Sequence, residues 1–414
     1  MEKKCTRLPF DQRVYLASPT MHGDELKYIT EAFATNWVST VGENIDCVES
    51  ALSQILRKRY SVALSSGTGA LHMAIKCCAE KLYGKSESGA GTLAGKKVFC
   101  SDLTFAATIN PVLYEGGEPV LIDSEYDTWN MDPIALERAF ERYPDVRLVV
   151  LVHLYGTPAK MDQICSICKR HGALLVEDAA EALGASYRGE PLGSFGNIGV
   201  ISFNGNKIIT GSCGGLIVTD DRDDMLRIRK WSTQSRDPAP WYQHTELGYN
   251  YRMSNLVAGV IRGQLPHLQE HIDLKTGLYL KYKEGLKDLP LTMNPYEDGF
   301  LPNHWLSCIL IDRDAICDQS RSDLNATYLS ETGKSCPTEI LEALASINAE
   351  GRPIWKPMHL QPIFRDYPFI NADGIEGHDV GADLFHRGLC LPSDIKMTNE
   401  QLSMIIDVIR SCFN

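Results

Sequence analysis

The sequence predicts an α/β fold, with a large domain built on a mostly parallel central sheet and a smaller C-terminal α/β domain. From residue 61 to about 220, short apolar runs alternate with helical stretches. Some of these runs, such as residues 147–153 (RLVVLVH), are apolar on both faces, as strands are when helices cover both sides of a parallel sheet. The chain has 414 residues, which is long for one domain and enough for two.

Within this region each element has its own signal. Asp132 is a helix N-cap residue, Pro133 suits the first helical position, and Gly172 can end a helix. The runs that predict strands are 61–64, 97–100, 119–123, 147–153, 173–176, 198–203 and 215–219. The stretches that predict helices are 68–81, 104–114, the one that opens at Asp132, and 162–170.

The character of the chain changes after about residue 250. A long, polar, helical stretch at 255–286 leads into a less regular part that is rich in proline. We therefore predict a large domain at 1–250 and a small domain at 251–414. On parallel sheets ligands bind beyond the carboxyl ends of the strands, so functional residues are expected directly after strands.

Composition excludes several classes of function. The chain carries 41 Lys and Arg against 53 Asp and Glu, a net charge of −12, which disfavours binding to nucleic acid. No run approaches the roughly 18 apolar residues of a membrane helix, and no apolar segment near the start resembles a signal peptide. The 13 cysteines follow no disulfide framework. We expect a soluble, cytoplasmic protein with reduced thiols.

Residues 65–70 (SSGTGA) lie between a predicted strand and a predicted helix. Small side chains let the backbone approach an anion, and the amide groups and dipole of a helix start favour a phosphate. Thr68 adds a hydroxyl donor. A plain glycine-rich turn would have the same sequence, so this segment alone leaves both readings open.

Residues 176–181 (VEDAAE) place Asp178 at the end of a predicted strand and Glu181 three residues later. A carboxylate there could bind a metal, act as a base or hold a cationic ring. Helix capping by the aspartate is the common structural explanation.

Residues 202–215 (SFNGNKIITGSCGG) contain a single lysine, Lys207, between two apolar strands. A lysine in such a loop is usually solvated. The small residues that follow would let the loop pack tightly and hold Lys207 in a pocket, where a desolvated amine attacks carbonyl groups. Together the three segments supply a phosphate cradle, an acid for a ring nitrogen and a lysine, which are what a pyridoxal-phosphate (PLP) enzyme requires.

Six segments in this order carry a resemblance to a known family. They are 64–72 (LSSGTGALH), 103–108 (LTFAAT), 153–156 (HLYG), 177–181 (EDAAE), 202–207 (SFNGNK) and 248–254 (GYNYRMS). The chain resembles the DegT/DnrJ/EryC1/StrS sugar aminotransferases over nearly its whole length. The resemblance implies PLP fold type I, the aspartate-aminotransferase-like fold, with PLP as cofactor.

The resemblance also implies roles for the residues around the ring. Lys207 would hold PLP covalently, and Asp178 would pair with the pyridine nitrogen. Glu181 would lie near the ring hydroxyl, where many relatives carry Gln or His, and Phe105 would stack on the ring.

Further implied roles concern the phosphate and the partner subunit. Gly67 and Thr68 would bind the phosphate, with Ser202 as an additional donor. Asn250 would reach the phosphate of the neighbouring cofactor, so that the working unit is a homodimer. His153, at a strand end, is expected to be a hydrogen-bonded structural residue, and no metal site is expected.

The nearest branch of the family, to which residues 355–362 (WKPMHLQP) are also similar, acts on UDP-linked 4-keto-6-deoxy-N-acetylhexosamines in polysaccharide biosynthesis. The resemblance implies ping-pong transfer of an amino group from L-glutamate to C4 of such a sugar. Trp37, Lys356 and His359 match positions near the sugar nucleotide. The alternatives are amination at C3 of a dTDP- or UDP-linked 3-keto sugar and a PLP-binding regulator without turnover.

Overall fold

The computed structural model describes residues 8–86 and 91–414. The α helices are α1 Asp24–Ala34, α2 Glu43–Ile55, α3 Gly67–Tyr83, α4 Asn110–Tyr114, α5 Pro133–Arg142, α6 Met161–Arg170, α7 Arg222–Ser232, α8 Asn255–Gln264, α9 Leu268–Gly285, α10 Pro337–Ser346, α11 Val380–Arg387 and α12 Asn399–Ser411.

The strands follow the same numbering by chain order. They are β1 Tyr60–Leu64, β2 Lys97–Ser101, β3 Glu118–Ile122, β4 Leu148–Val152, β5 Leu174–Asp178, β6 Ser186–Tyr187, β7 Glu190–Pro191, β8 Ile198–Ser202, β9 Gly215–Thr219, β10 Leu291–Met293, β11 Phe300–Leu301, β12 Cys308–Ile311, β13 Gln319–Arg321, β14 Ala326–Tyr328, β15 Arg352–Pro353, β16 Phe369–Ile370 and β17 Gly388–Cys390.

A large sheet forms the centre of the described part of the chain, with strand order β1-β9-β8-β5-β4-β2-β3-β16. All neighbours pair in parallel except β9, which is antiparallel to both β1 and β8. The carboxyl ends of β1, β2, β4, β5 and β8 therefore lie at one edge. The mostly parallel central sheet that the sequence predicts is confirmed.

Alternate residues of the same strands enter two different cores. In β4, Val149 and Leu151 pack in one apolar cluster, while Leu148 and Val150 pack in another. Because successive side chains of a strand point to opposite faces, the sheet is covered on both sides. Every residue of β4 is accordingly buried.

The helix boundaries follow local capping chemistry. The Asp132 side chain accepts a hydrogen bond from the Ile134 amide (2.7 Å) and Pro133 takes the first position of α5, as predicted. The Thr398 and Gln401 side chains form a reciprocal capping box at the start of α12.

Two predicted helices are divided in the structure. The stretch 104–114 forms a 3₁₀ turn at Ala106–Thr108 and the short helix α4, in which Pro111 lies. The stretch 255–286 is interrupted by a 3₁₀ turn at Leu265–His267 that separates α8 from α9. Pro266 explains this break, because proline cannot donate the amide hydrogen bond of a continuous helix.

A smaller antiparallel sheet, β10-β12-β17-β15, lies in the C-terminal part with its own apolar cluster from α9, α10 and α12. The division into 1–250 and 251–414 stays a prediction. One strand crosses that division, because β16 pairs in parallel with β3 at the edge of the large sheet.

No helix among the described residues is long and apolar enough to cross a membrane. The cysteines that the structure describes are free of disulfide bonds.

Candidate active site

The carboxyl ends of β1, β2, β5 and β8 open onto a cavity of about 310 Å³. The side chains and backbone around it come from both the large sheet and the C-terminal part. Among the residues that line it are Ser66, Gly67, Thr68, Thr104, Phe105, Thr108, Asp178, Glu181, Ser202, Lys207, Cys213, Trp305, Arg352, Trp355 and Cys390. The structure thus brings together the three segments that the sequence analysis combined.

The start of α3 is arranged to hold an anion. Ser66 is its N-cap residue and accepts a hydrogen bond from the Gly69 amide, 3.0 Å away. A Cβ atom added at Gly67 would lie 2.9 Å from the Ser202 Oγ, so no larger side chain fits between the helix and β8. The helix dipole, the first amides of α3 and the hydroxyls of Thr68 and Ser202 therefore face one small volume, as phosphate binding requires.

Asp178 ends β5 and is 4% exposed. Its carboxylate accepts hydrogen bonds from the Thr108 hydroxyl (2.6 Å) and the Ala180 amide (3.2 Å), and it forms no ion pair with a described residue. Burial raises the pKa of Asp178, against these hydrogen bonds and the charge of Lys207. A buried carboxylate of this kind is stabilised by a cationic partner in the cavity.

Glu181 and Lys207 face each other across the cavity. The Lys207 Nζ lies 3.3 Å from the Glu181 Oε1, and the Tyr155 amide donates to the Glu181 Oε2 (2.8 Å). Burial raises the pKa of Glu181, while the charge of Lys207 acts in the opposite direction. The amine also lies 4.1 Å from the ring centroid of Trp305, a cation–π contact.

Several lining residues were missed at the sequence level. Thr108 lies in one of the motifs already singled out, and its position after a strand was the available signal. Trp305 has no local signal. Its indole Nε1 donates to the Asn206 carbonyl (2.8 Å), a contact between segments 99 residues apart that only the fold creates.

Phe105 lines the cavity near the C-terminal segment. Its ring is 61% exposed and lies 5.6 Å from the ring of Trp355, measured between centroids. The two aromatic rings form one side of the cavity mouth, where Phe105 is free to stack on a ligand ring.

Lys356 and His359 differ in their surroundings. Lys356 lines an adjoining cavity of about 450 Å³, and its Nζ lies 2.8 Å from Asp323. Both ring nitrogens of His359 are engaged, Nδ1 by Asp102 (2.7 Å) and Nε2 by Asp379 (2.6 Å). Substrate contact by His359 stays a prediction, although the structure shows an imidazole that is already fully hydrogen-bonded.

Trp37 and Asn250, like His359, line neither of these two cavities. Trp37 is 53% exposed, and its carbonyl accepts a hydrogen bond from the Asn255 side chain (2.9 Å). Asn250 is exposed and forms an isolated bridge with Thr233. Their predicted roles toward substrate and toward a neighbouring cofactor stay predictions.

His153 has the structural environment that we expected. It is fully buried, and its Nδ1 accepts a hydrogen bond from the Ala159 amide (3.2 Å), so Nε2 is the donor to Glu177 (3.0 Å). The His153 amide also donates to the Asp178 carbonyl (3.1 Å), which places the pair directly behind the acid of the cavity.

Comparison with known proteins identifies what this cavity is similar to. The sequence profile of the DegT/DnrJ/EryC1/StrS aminotransferase family matches residues 19–410. EpsN of Bacillus subtilis (strain 168), whose name places it among pyridoxal phosphate-dependent aminotransferases, is 39% identical over 408 residues, 97% of this chain and 96% of that protein. GDP-perosamine synthase of Caulobacter vibrioides is 31% identical over 397 residues, 95% of this chain and 96% of its own.

The solved structures agree with this assignment. The crystal structure of DesI, determined in the presence of its TDP-sugar product, superimposes with a TM-score of 0.80 at 25% identity, covering 98% of this chain and 94% of that one. The predicted family and fold are confirmed.

The residues present fit pyridoxal phosphate. The α3 start and Ser202 suit a phosphate, the buried Asp178 carboxylate suits a protonated ring nitrogen, and Lys207 supplies an amine for the aldehyde. Burial of the carboxylate without an ion-pair partner is the observation that a cationic ring would explain.

Proposed function

Because the chain belongs to the DegT/DnrJ/EryC1/StrS aminotransferase family and is a PLP-dependent sugar aminotransferase, we propose that it transfers an amino group from L-glutamate to C4 of a UDP-linked 4-keto-6-deoxy-N-acetylhexosamine. The observation that carries the proposal is the convergence of Lys207, Asp178 and the start of α3 in one cavity. Resemblance to the branch that acts on such sugars supports the choice of substrate.

The residues divide the work of the reaction. When bound, PLP supplies an electron-withdrawing ring that stabilises charge on the carbon losing a proton. Asp178 would pair with the protonated ring nitrogen, and the start of α3 would hold the phosphate. Lys207 would hold the cofactor and, once released, take up the proton from the substrate carbon. Trp305 covers the amine and limits the access of water.

The mouth of the cavity suits a nucleotide sugar. Trp355 and Phe105 offer aromatic faces, and Arg352 and Lys356 offer positive charge for a diphosphate. We propose that the first cavity binds the sugar. The adjoining cavity, which shares several lining residues with it, would bind the nucleotide portion. Asn250 of a second copy of the chain would complete the phosphate site.

GDP and dTDP are the alternatives to UDP as the nucleotide that carries the sugar. Relatives are named for GDP and TDP sugars, so UDP, GDP and dTDP carriers should be compared directly. The regulator without turnover is less well supported, because Lys207 and Asp178 are both present in the cavity.

The first test is an absorption spectrum of the purified holoenzyme before and after addition of L-glutamate. Bleaching of the visible cofactor band, reversed by 2-oxoglutarate, is the expected result. An unchanged band with glutamate and a response to another amino acid would reject glutamate as donor.

The second test presents the aminated enzyme, in the presence of excess L-glutamate, with UDP-, GDP- and dTDP-linked 4-keto and 3-keto sugars. We expect repeated turnover with the UDP-linked 4-keto sugar, and nitrogen at C4 in the product by mass spectrometry and NMR. An amine at C3 would replace the proposed substrate with its alternative, and a response without turnover would favour the regulator.

A further inference from the structure

A cluster of histidines lies outside the cavity, where the segment before α1 meets the start of α9. His22 belongs to that segment, and His267, Glu270 and His271 belong to the 3₁₀ turn and first helical turn of α9. Positions three and four apart share one face of a helix, so these α9 side chains all point toward the N-terminal segment. The cluster joins residues that are about 245 positions apart.

We propose that His22, His267 and Glu270 form a binding site for one divalent transition-metal ion of the zinc class. One potential ligand atom from each of the three residues lies within 4.8 Å of the other two. Two imidazoles and one carboxylate, with remaining positions for water, are a ligand set that Zn²⁺ takes in proteins.

The hydrogen bonds around His22 fix which nitrogen is available. The His271 Nδ1 lies 2.8 Å from the Ile208 carbonyl, which only accepts, so this nitrogen carries the proton. The Nε2 of neutral His271 is then an acceptor for the His22 Nε2, also 2.8 Å away. This leaves the Nδ1 of His22 with its lone pair, ready to bind an ion.

His267 and Glu270 already face each other on their own helix. The His267 Nδ1 lies 2.9 Å from the Glu270 Oε2, and an ion bound by these two atoms would take the place of the proton that they share. Histidine ligands of metals commonly donate their second nitrogen to a carboxylate or a backbone carbonyl, which fixes the ring and its tautomer. In His22 the second nitrogen, Nε2, is held by the His271 ring, which is itself fixed by the Ile208 carbonyl.

The rings of His22 and His267 are stacked, with centroids 3.6 Å apart and planes 3° from parallel. Sharing one ion requires the rings to tilt toward a common point. The His267 side chain is 31% exposed and has room for that rotation.

The site is connected to the catalytic cavity through His271. This residue is 2% exposed, contacts His22 on one side and, through the Ile208 carbonyl, the residue after Lys207 on the other. An ion on His22 would therefore be two hydrogen bonds away from the loop that carries Lys207.

The test is zinc binding by the holoenzyme, measured by calorimetric titration with ZnCl₂ and by metal analysis after dialysis. His267→Ala alters a half-buried side chain and Glu270→Gln an exposed one, and the cofactor band and the unfolding temperature will show that folding persists. His378→Ala is the matched control, because His378 also pairs with a carboxylate, that of Asp373, 2.7 Å away.

We expect one zinc ion per chain in the wild type and in His378→Ala, and an affinity weakened by about 10-fold or more in the other two variants. Equal stoichiometry and affinity in all four proteins would overturn the site. Failure of the wild type to retain zinc at neutral pH would overturn it as well.

Discussion

Ionisable side chains in two regions around the cavity differ in whether the protein supplies their ion-pair partners. On the wall formed by strand ends, Asp178 and Glu181 are buried, and the protein gives Asp178 hydroxyl and amide donors but no ion-pair partner among the described residues. Next to the wall formed by the C-terminal segment, but outside the residues that line the cavity, His359 lies between Asp102 and Asp379. Glu181 faces Lys207, so Asp178 is the buried carboxylate whose partner a ligand must supply, whereas the partners of His359 lie within the chain.

This difference separates binding groups from positioning groups. A buried charge without a partner is costly, so it persists where a ligand supplies the partner. A fully paired imidazole holds segments together. The His359 amide and side chain both bond to Asp102, which fixes the loop carrying Trp355 and Lys356 against the end of β2.

The largest effect is expected for Lys207→Ala. Removal of the amine that holds the cofactor and moves the proton should lower kcat/KM by roughly 10⁴-fold or more and abolish the visible band of covalently held PLP. The measurements are steady-state kinetics and the absorption spectrum. The exposed, ion-paired Lys287 provides the control variant Lys287→Ala, and an intact band in Lys207→Ala would contradict the assignment.

Asp178→Asn should come next. The amide cannot stabilise a protonated ring nitrogen, so we expect kcat to fall roughly 10²–10⁴-fold, the range of a proton-transfer group, with the cofactor still bound. Single-turnover kinetics with glutamate would measure the loss. A rate within a factor of two of the wild type would show that the ring nitrogen is not the partner of the Asp178 carboxylate.

His359→Gln should act mainly on stability. The variant leaves the buried Asp102 without its counter-charge, and loss of one partner of a buried ion pair costs about 3–5 kcal/mol in the free energy of unfolding. Urea unfolding at pH 6 measures this, with His378→Gln, at an exposed histidine, as the control. A KM effect for the sugar without a stability loss would instead make His359 a binding residue.

The pH dependence of this loss has a definite sign. Burial alone would lower the pKa of His359, but the hydrogen bonds and charges of Asp102 and Asp379 raise it to about 10. The stabilisation is complete below the pKa of an unfolded histidine, near 6.5, and disappears as the pH rises through about 10. The difference between wild type and His359→Gln should therefore shrink between these values, and a constant difference would contradict the ion triad.

Glu181→Gln should have the smallest effect. The amide retains an oxygen to accept from the Tyr155 amide and loses only the charge facing Lys207. We expect kcat/KM to change by less than about 10-fold, below the range of a proton-transfer group. Measured beside Asp178→Asn, the variant compares two buried carboxylates in one cavity, and an equal loss in both would show that their roles are not distinct.

The residues at the strand ends could be predicted from the sequence to lie together at the cavity, whereas those of the C-terminal part could not. Gly67, Asp178, Ser202 and Lys207 directly follow or flank apolar strands, and parallel strands bring such positions to one edge by topology alone. Trp305 enters the cavity only through packing of the C-terminal part. No periodicity or spacing encodes that contact.

The histidine cluster shows the same limit. His267 and Glu270 are near neighbours on one helix, but His22 reaches them only because the segment before α1 runs beside the start of α9. Pro266 marks the helix break before α9 in the sequence. The position of His267 beside His22, however, depends on the fold.

The strand β16 has a consequence for how the protein is made. It covers the edge of β3, and it is formed by Phe369–Ile370, late in the chain. Until the ribosome has passed these residues, β3 presents free backbone groups at an open sheet edge, the kind of surface on which nascent chains associate. A chain whose synthesis stops before residue 369 should therefore tend to associate and to need chaperones, even though all the residues at the strand ends of the cavity have already been made.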